Sequence, residues 1–242
     1  MKPYAELLEF NQPNPVYKQG HTRVRDSFPG LRDKRQVRMW GQTIYDPERI
    51  SEFAGRWDYG TKNAERLGQT AKDGTPIIKK WIDSGEQSML EMGHATVFIE
   101  CSRTVSHELV RHRLASFQQE SQRFTKYDDA EDWEFFYNPM TEDDVIEGPA
   151  IQAHYVSSLK LYKDLRAGGV SPQLARYVLP NATRTRIIMS ANMREWRHII
   201  KLRLHSSAQP EMRELMQQIY DQLVEVFPQS LEGVLEQGRG VR

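Results

Sequence analysis

His107-Glu108-Leu109-Val110-Arg111-His112-Arg113-Leu114-Ala115-Ser116-Phe117-Gln118-Gln119-Glu120-Ser121-Gln122-Arg123-Phe124 crowds three arginines and two histidines beside hydroxyls and amides. Val105, Leu109 and Val110 recur at roughly helical spacing, with Thr104 in the N-cap position, so the pattern predicts a helix running through Arg111. On that helix His107 and Arg111 share one face, as do Glu108 and His112, because residues four apart are neighbours. The apolar period fails after Leu114, and Ser116 to Arg123 reads as a polar loop. A helix end with Arg111 and Arg113, followed by Ser116, Ser121 and Arg123, suits a phosphate, since guanidinium forks bind its oxygens bidentately and hydroxyls add donors. The competing reading is a solvated basic helix end that pairs with Glu108 and Glu120.

Working outward, 242 residues suffice for one domain with extensions and a real core. Lys plus Arg and Asp plus Glu each number 33, so no global field draws the chain to nucleic acid or membrane, and anion binding must be local. The single cysteine, Cys101, excludes an internal disulfide framework and a multi-cysteine zinc site, and no metal site is expected. Apolar runs fall short of the ~18 residues of a membrane span, and the first residues lack a signal peptide's apolar core. A soluble, cytoplasmic protein is the expectation.

Residues 1–35, with Pro3, Pro13, Pro15 and Pro29 and no sustained period, read as an extension that lies on something else. The first expected element is a strand from Gln36 to Trp40. A helix follows, with Asp46 as N-cap, Pro47 at its first position, and Ile50, Phe53, Ala54 and Trp57 on its core face. Another starts at Thr75-Pro76, presents Ile77, Ile78, Trp81 and Ile82, and stops at Gly85. After a short polar segment, Ala95 to Cys101 reads as a strand feeding the central helix.

Beyond the arginine-rich stretch, Ile151, Tyr155, Leu159 and Tyr162 mark a helix ending near Gly168-Gly169. Ser171-Pro172 opens a short helix carrying Arg176 and stopped by Pro180; Thr183 to Met189 is strand-like. Asn192 caps a helix with Glu195 three residues on, as in a capping box, and Trp196, Ile199 and Ile200 face inward. From Pro210 to Phe227, Met212, Leu215, Met216, Ile219, Leu223 and Phe227 form one apolar stripe, either core or subunit interface. The fold class is α+β, a largely antiparallel sheet with five or six helices. Neither alternating βα units nor a glycine fingerprint after a strand is present, so any dinucleotide must bind by another architecture than the doubly wound one.

The order Arg111-His112-Arg113, Ser116, Ser121, Arg123 resembles the signature of the flavin-dependent thymidylate synthases, matching six positions in thirteen. Further resemblances are Arg176 before Pro180, the Asn192-x-Arg194 pair, Arg203 on the same helix, and Gln209-Pro210-Glu211-Met212-Arg213. The likeness spans residues 36–228, leaving 1–35 as an N-terminal extension and 229–242 as a C-terminal tail. It implies FAD as cofactor, NADPH and methylenetetrahydrofolate as co-substrates, a uridine monophosphate as substrate, and a homotetramer with shared sites. Flavin contacts implied by the resemblance are Ser88, Glu91, Arg111, His112, Arg113, Gln119, Asn192, Arg194 and His198. Nucleotide contacts are Glu108, Arg111, Gln119, Ser121, Gln122, Arg123, Arg176 and Arg203, with Arg203 activating the pyrimidine at N3.

That chemistry suits these residue types. Uracil C5 is a poor nucleophile, activated either by thiolate attack at C6 or by stabilising negative charge on the ring. Cys101 sits in a strand pattern and reads as a packed thiol. Ser121 has no adjacent base beyond His112 and reads as a ligand of phosphate or ring. A fixed guanidinium such as Arg203 supplies the second route.

The chain departs from the family after Gly85, where Glu86 and Met92 stand in place of two histidines while Ser88 and Glu91 remain. Asp58 replaces a serine or cysteine, His198 an asparagine, and His94 lies out of register as a strand-end residue. These changes leave open a UMP methylase of the nucleoside-antibiotic type, which must accept a 2′-hydroxyl. An alternative of another class is RNA binding by the arginine-rich segment, with Phe117 and Phe124 stacking on bases; zero net charge disfavours it.

Overall fold

The computed structural model describes residues 4–10, 38–39, 42–43, 48–58, 76–130 and 147–238. In chain order these hold β1 (Tyr4–Phe10), β2 (Arg38–Met39), β3 (Gln42–Thr43), α1 (Glu48–Asp58), α2 (Ile77–Asp83) and a 3-10 turn at Ser88–Met92. Then come β4 (His94–Ser102), α3 (Arg103–Leu109), β5 (Ser116–Gln119), α4 (Glu147–Ala167), α5 (Pro172–Ala175) and a 3-10 turn at Arg176–Val178. β6 (Arg184–Asn192), α6 (Met193–Arg203), α7 (Pro210–Val226) and α8 (Val234–Gly238) complete the described chain.

Alternation in two long strands decides the architecture. Ala95, Val97, Ile99 and Cys101 of β4 stand directly opposite Ala191, Met189, Ile187 and Thr185 of antiparallel β6, and all eight are buried. One face of the sheet is thereby apolar and must be covered. α7 covers it with Met212, Leu215, Met216, Ile219 and Leu223, all fully buried, so the expected stripe is core. α6 adds Trp196, whose indole N–H donates to the Ala95 carbonyl at 3.1 Å and pins helix to strand. The sheet order is β1-β4-β6-β5, every pairing antiparallel, which makes the fold α+β as expected. No helix among the described residues is long and apolar enough to cross a membrane.

Several expectations need correction. The first ordered element is not the strand at 36–40 but β1, the sheet's edge, paired with β4 from Tyr4↔Glu100 to Phe10↔Ala95. Its Ala5 is buried and its backbone is held by the side chains of Gln218 and Gln222 on α7, so the start of the extension belongs to the core sheet. Of the expected 36–40 strand, Arg38–Met39 are described, as β2 paired with β3; Gln36, Val37 and Trp40 lie outside the described residues. The expected tail after residue 228 supplies Leu231 and Val234 to the core. Asp46, Pro47 and Thr75 lie outside the described residues, as does the side chain of Trp57. On α1 the fully buried face is polar, Glu48, Ser51 and Glu52, while Ile50, Phe53 and Ala54 are half-buried. Glu48 accepts from the Ser230 backbone N–H at 2.6 Å, and Glu52 pairs with Arg56 at 2.8 Å, so these acids are buried with partners. Gly55 is required by packing, since a Cβ there would lie 2.5 Å from the Trp81 ring. Eight α-helices are described rather than five or six; the one with no sign in the sequence is α8, five residues long and too short to carry a clear period.

The N-cap of α3 also differs from the expectation. Ser102, not Thr104, accepts from the Val105 N–H, at 3.2 Å, and its hydroxyl donates to Glu211 at 2.6 Å. The last residue of a buried strand thus also starts the helix that carries the site. Glu211, kept protonatable by burial that raises its pKa, receives the Ser102 backbone N–H as well, at 2.6 Å. Ser102→Ala removes a cap and one bond to a buried carboxyl and is expected to lower unfolding free energy by about 2–3 kcal/mol. Thr104→Ala, at an exposed position, should change it by under about 0.5 kcal/mol. Denaturant titration of both variants checks the order.

Candidate active site

The arginine-rich stretch folds differently from one continuous helix. α3 ends at Leu109, and two tight turns follow, closed by His112 N–H on the Leu109 carbonyl and Ala115 N–H on the His112 carbonyl, both at 3.1 Å. From Ser116 the chain is strand β5, not loop, and pairs with β6 from Ser116↔Ser190 to Gln119↔Ile187. The turns alternate the side chains: Arg111 and Arg113 are exposed, whereas His112 between them is buried. Neither arginine is paired by any described residue, so both are free to meet an anion.

His112 turns inward to meet Arg203 in the last turn of α6. Arg203 Nε–H donates to His112 Nε2 at 3.1 Å, its Nη1 donates to the Glu108 carboxylate, and its Nη2 donates to the Glu108 backbone carbonyl at 3.1 Å. Three bonds from one guanidinium fix its plane. Burial, Arg203 and His198 together push the His112 pKa down to about 4, so the ring is neutral and its Nε2 can accept. His112 Nδ1 faces Glu195 Oε1 at 3.6 Å, and its ring meets that of His198 edge-on, centroids 6.0 Å apart. Glu195 has its pKa raised by burial. Among the described residues, His112, Glu195 and His198 bring donor atoms within 4.8 Å of one another. The adjacent guanidinium already places a positive charge there and opposes a second cation.

Beside this cluster lies a cleft of about 660 Å³, walled by Glu91, Asn192, Arg194, Glu195, His198 and Lys201, among others. The fold therefore gathers four of the expected flavin contacts, Glu91, Asn192, Arg194 and His198, around one cleft. Asn192 is the N-cap of α6 as expected, its Oδ1 accepting from the Glu195 N–H at 2.9 Å. Arg194 pairs with Glu91 at 2.6 Å, both lining the cleft. Ser88 is exposed in the 3-10 turn that precedes Glu91 and does not line the wall. Glu195, Arg197 and Lys201 were not expected as site residues. Their signal was periodicity: Arg194, His198 and Lys201 are spaced four and three apart on one helix face, with Glu195 one turn before His198.

The remaining nucleotide contacts form a separate group. Gln119 donates to Ser106 at 2.9 Å and to Thr185 at 3.1 Å, which ties β5 to α3 and β6. Ser121 is exposed and caps the Arg123 N–H at 3.3 Å. Arg123 donates to Gln173 of α5 at 2.7 Å and lies over the Phe124 ring. Gln122 is buried, and its amide nitrogen has no partner among the described residues. Arg176 is half-buried near Arg103, whose pKa is lowered by burial and also by Arg176. Arg103 was missed in sequence; a second half-buried guanidinium beside Arg176 is what an anion site needs. These residues make no hydrogen bond or ion pair with Arg203 among those described.

Cys101 is fully buried and its thiol is pushed up out of reach of ionisation by burial and by Glu211, as a packed thiol should be. His94 starts β4, exposed, as a strand-end histidine.

Fold and site together define an α+β protein with a ligand-sized cleft beside a buried histidine that fixes an arginine. The chain belongs to the flavin-dependent thymidylate synthase family: the family model described as "Thymidylate synthase complementing protein" matches residues 41–229. It is 34% identical over 193 residues to the flavin-dependent thymidylate synthase of Thermococcus onnurineus, covering 76% of this chain and 77% of that protein. To the enzyme of that name from Mycolicibacterium gilvum it is 37% identical over 196 residues, covering 74% and 76%. Two crystal structures share the fold. Thymidylate synthase X from Helicobacter pylori, with FAD and dUMP, matches with TM-score 0.65 at 24% identity over 77% of this chain and 93% of that one. The UMP/dUMP methylase PolB from Streptomyces cacaoi, bound with 5-Br dUMP, matches with TM-score 0.70 at 18% identity over 100% of this chain and 98% of that one.

The depressed pKa of His112 sets an acid limit. Between its ordinary value of 6.5 and about 4 the unfolded chain takes up a proton that the folded chain refuses, so stability falls as pH drops through that window. Thermal unfolding followed across that range should show a shallower acid loss in His112→Gln than in the native chain.

Proposed function

We propose that this protein methylates C5 of a uridine monophosphate, dUMP to dTMP, taking carbon from methylenetetrahydrofolate and hydride from reduced FAD that NADPH regenerates. The observation that carries the reading is Arg203, held by three bonds to Glu108 and His112.

The cleft fits a flavin by its own chemistry. Its volume lies within the range of cofactor pockets, and its wall offers Asn192, Arg194, His198 and Lys201 as donors. Exposed Arg111 and Arg113 supply unpaired guanidiniums for a diphosphate. By the family pattern Ser88, Glu91, His112 and Gln119 complete the set. Bound there, the flavin supplies the redox step.

The chain's own residues do the rest. A buried, protonated Cys101 cannot attack C6, and exposed Ser121 lacks a base partner. Negative charge on the pyrimidine must then be stabilised directly. Arg203 does so from a partly buried position where water screens it little, and neutral His112 fixes it without adding a competing charge. Arg176 and Arg103, with Ser121 and Arg123, take the phosphate; their mutual repulsion is relieved by an anion. Glu108, Gln119 and Gln122 border the nucleotide.

Arg123 and Arg176 make no hydrogen bond or ion pair with Arg203 among the described residues, which accords with a site completed between chains, as in a homotetramer. Leu114, Phe124 and Tyr177, each more than 70% exposed, give such a contact apolar surface. A cytoplasmic location accords with a nucleotide-synthesis role.

A second reading, methylation of UMP, is favoured by one observation. The PolB likeness spans the whole chain, β1 included, whereas the Helicobacter pylori likeness spans 77% of it. The purified enzyme should show a flavin spectrum, and titration with dUMP and UMP in turn names the substrate by which one perturbs it. A colourless protein that takes up no FAD would sink the redox mechanism. Arg203→Ala should retain flavin yet lose about 10²–10³ in kcat, measured as methyl transfer to the preferred nucleotide.

A further inference from the structure

The bond from Arg203 to His112 carries a condition. A guanidinium N–H can only donate, so His112 Nε2 must hold a lone pair, and the ring's one proton must sit on Nδ1. Which nitrogen of a neutral imidazole is protonated depends on what the other one meets. His112 Nδ1 faces Glu195 Oε1 at 3.6 Å, with side-chain exposures of 5% and 7%. That distance is longer than a formed hydrogen bond. Yet a carboxylate oxygen that close, with little water between, still favours a proton on the nitrogen it faces. Glu195 is itself anchored, because the Asn192 side chain caps its backbone N–H at 2.9 Å. His198, one helical turn further along α6, meets the same ring edge-on, centroids 6.0 Å apart, and limits its rotation.

We propose that Glu195 is a positioning residue. It selects the Nδ1–H tautomer of His112, and through that tautomer it sets the orientation of the Arg203 guanidinium. The path runs Glu195 carboxylate, His112 Nδ1–H, His112 Nε2, Arg203 Nε–H, with the far side of Arg203 closed by Glu108. With the other tautomer, two N–H donors would face one another and Arg203 would swing away, keeping only its Glu108 bonds. Its value in catalysis rests on the function proposed above, whereas the tautomer itself does not.

The test uses the full-length holoenzyme with ¹⁵N-labelled histidine. Long-range ¹H–¹⁵N spectra of the native chain are expected to show His112 protonated at Nδ1 and bare at Nε2. In Glu195→Ala, or Glu195→Ser should the alanine variant not fold, the Nε2–H form should appear. Glu195→Gln, whose carbonyl can still accept, should restore part of the native pattern. In kinetics, E195A should lower kcat about tenfold or more, with nucleotide KM changed by less than about threefold and E195Q in between. The losses from E195A and Arg203→Lys should combine to less than their product, and that coupling should vanish in a His112→Asn background. An Nε2–H tautomer in the native chain, an unaltered tautomer in E195A, or losses that multiply in full would overturn the proposal. A native tautomer that behaves as expected in a chain that methylates neither dUMP nor UMP would uphold the positioning and refute the function.

Discussion

The guanidinium of Arg203, joined by three hydrogen bonds to the carboxylate and carbonyl of Glu108 and to a neutral His112, is the contact on which the site depends. It can form only if three elements end in the right places. α3 must stop at Leu109 so that Glu108 presents both carboxylate and backbone oxygen. The following turns must then bring His112 inward, and α6 must run far enough from its Asn192 cap to deliver Arg203. Each requirement traces to the sheet: Ser102 closes β4 and caps α3, and Asn192 closes β6 and caps α6. Two antiparallel strands in strict register, Ser102↔Arg184 at one end and His94↔Asn192 at the other, thus set where the two site helices begin.

Burial then determines the chemistry. In water, imidazole would be partly charged near neutral pH and would repel Arg203. Here desolvation and the guanidinium hold His112 neutral, which turns a potential repulsion into an acceptor. Glu108 stays more accessible to solvent than His112 and balances the charge of Arg203. The opposite arrangement holds at Arg103 and Arg176, both half-buried, where burial and Arg176 lower the Arg103 pKa against the pull of Tyr127 and Glu120. One cation is held in place by an acid and a neutral ring, whereas the other two repel each other.

Elements with a long, clean period were legible from sequence. The stripe from Met212 to Phe227, the alternation from Ala95 to Cys101 and the Asn192 cap all stand as read. Glu91, Asn192, Arg194 and His198, which the resemblance assigns to the flavin, line one cleft. What failed had local chemistry that a distant partner overrode. Thr104 is as good an N-cap by type as Ser102, but Ser102 also reaches Glu211, 109 residues away. Ser116 to Gln119 looks like loop because its polar residues alternate along an edge strand, and only pairing with β6 gives it order. The polar face of α1 is buried because Ser230 and Arg56 satisfy its acids. β1 lies among prolines and charges, and its place is fixed by β4 and by glutamines of α7, none of which a local window contains.

If Arg203 stabilises a pyrimidine anion, the bound nucleotide reports it directly. Ultraviolet difference spectra of the enzyme–nucleotide complex, recorded as a function of pH, follow ionisation at N3. Bound nucleotide should ionise at lower pH than free nucleotide, and Arg203→Ala should abolish the difference while the nucleotide still binds. Equal ionisation of bound and free nucleotide, or a difference that survives the loss of Arg203, would contradict it.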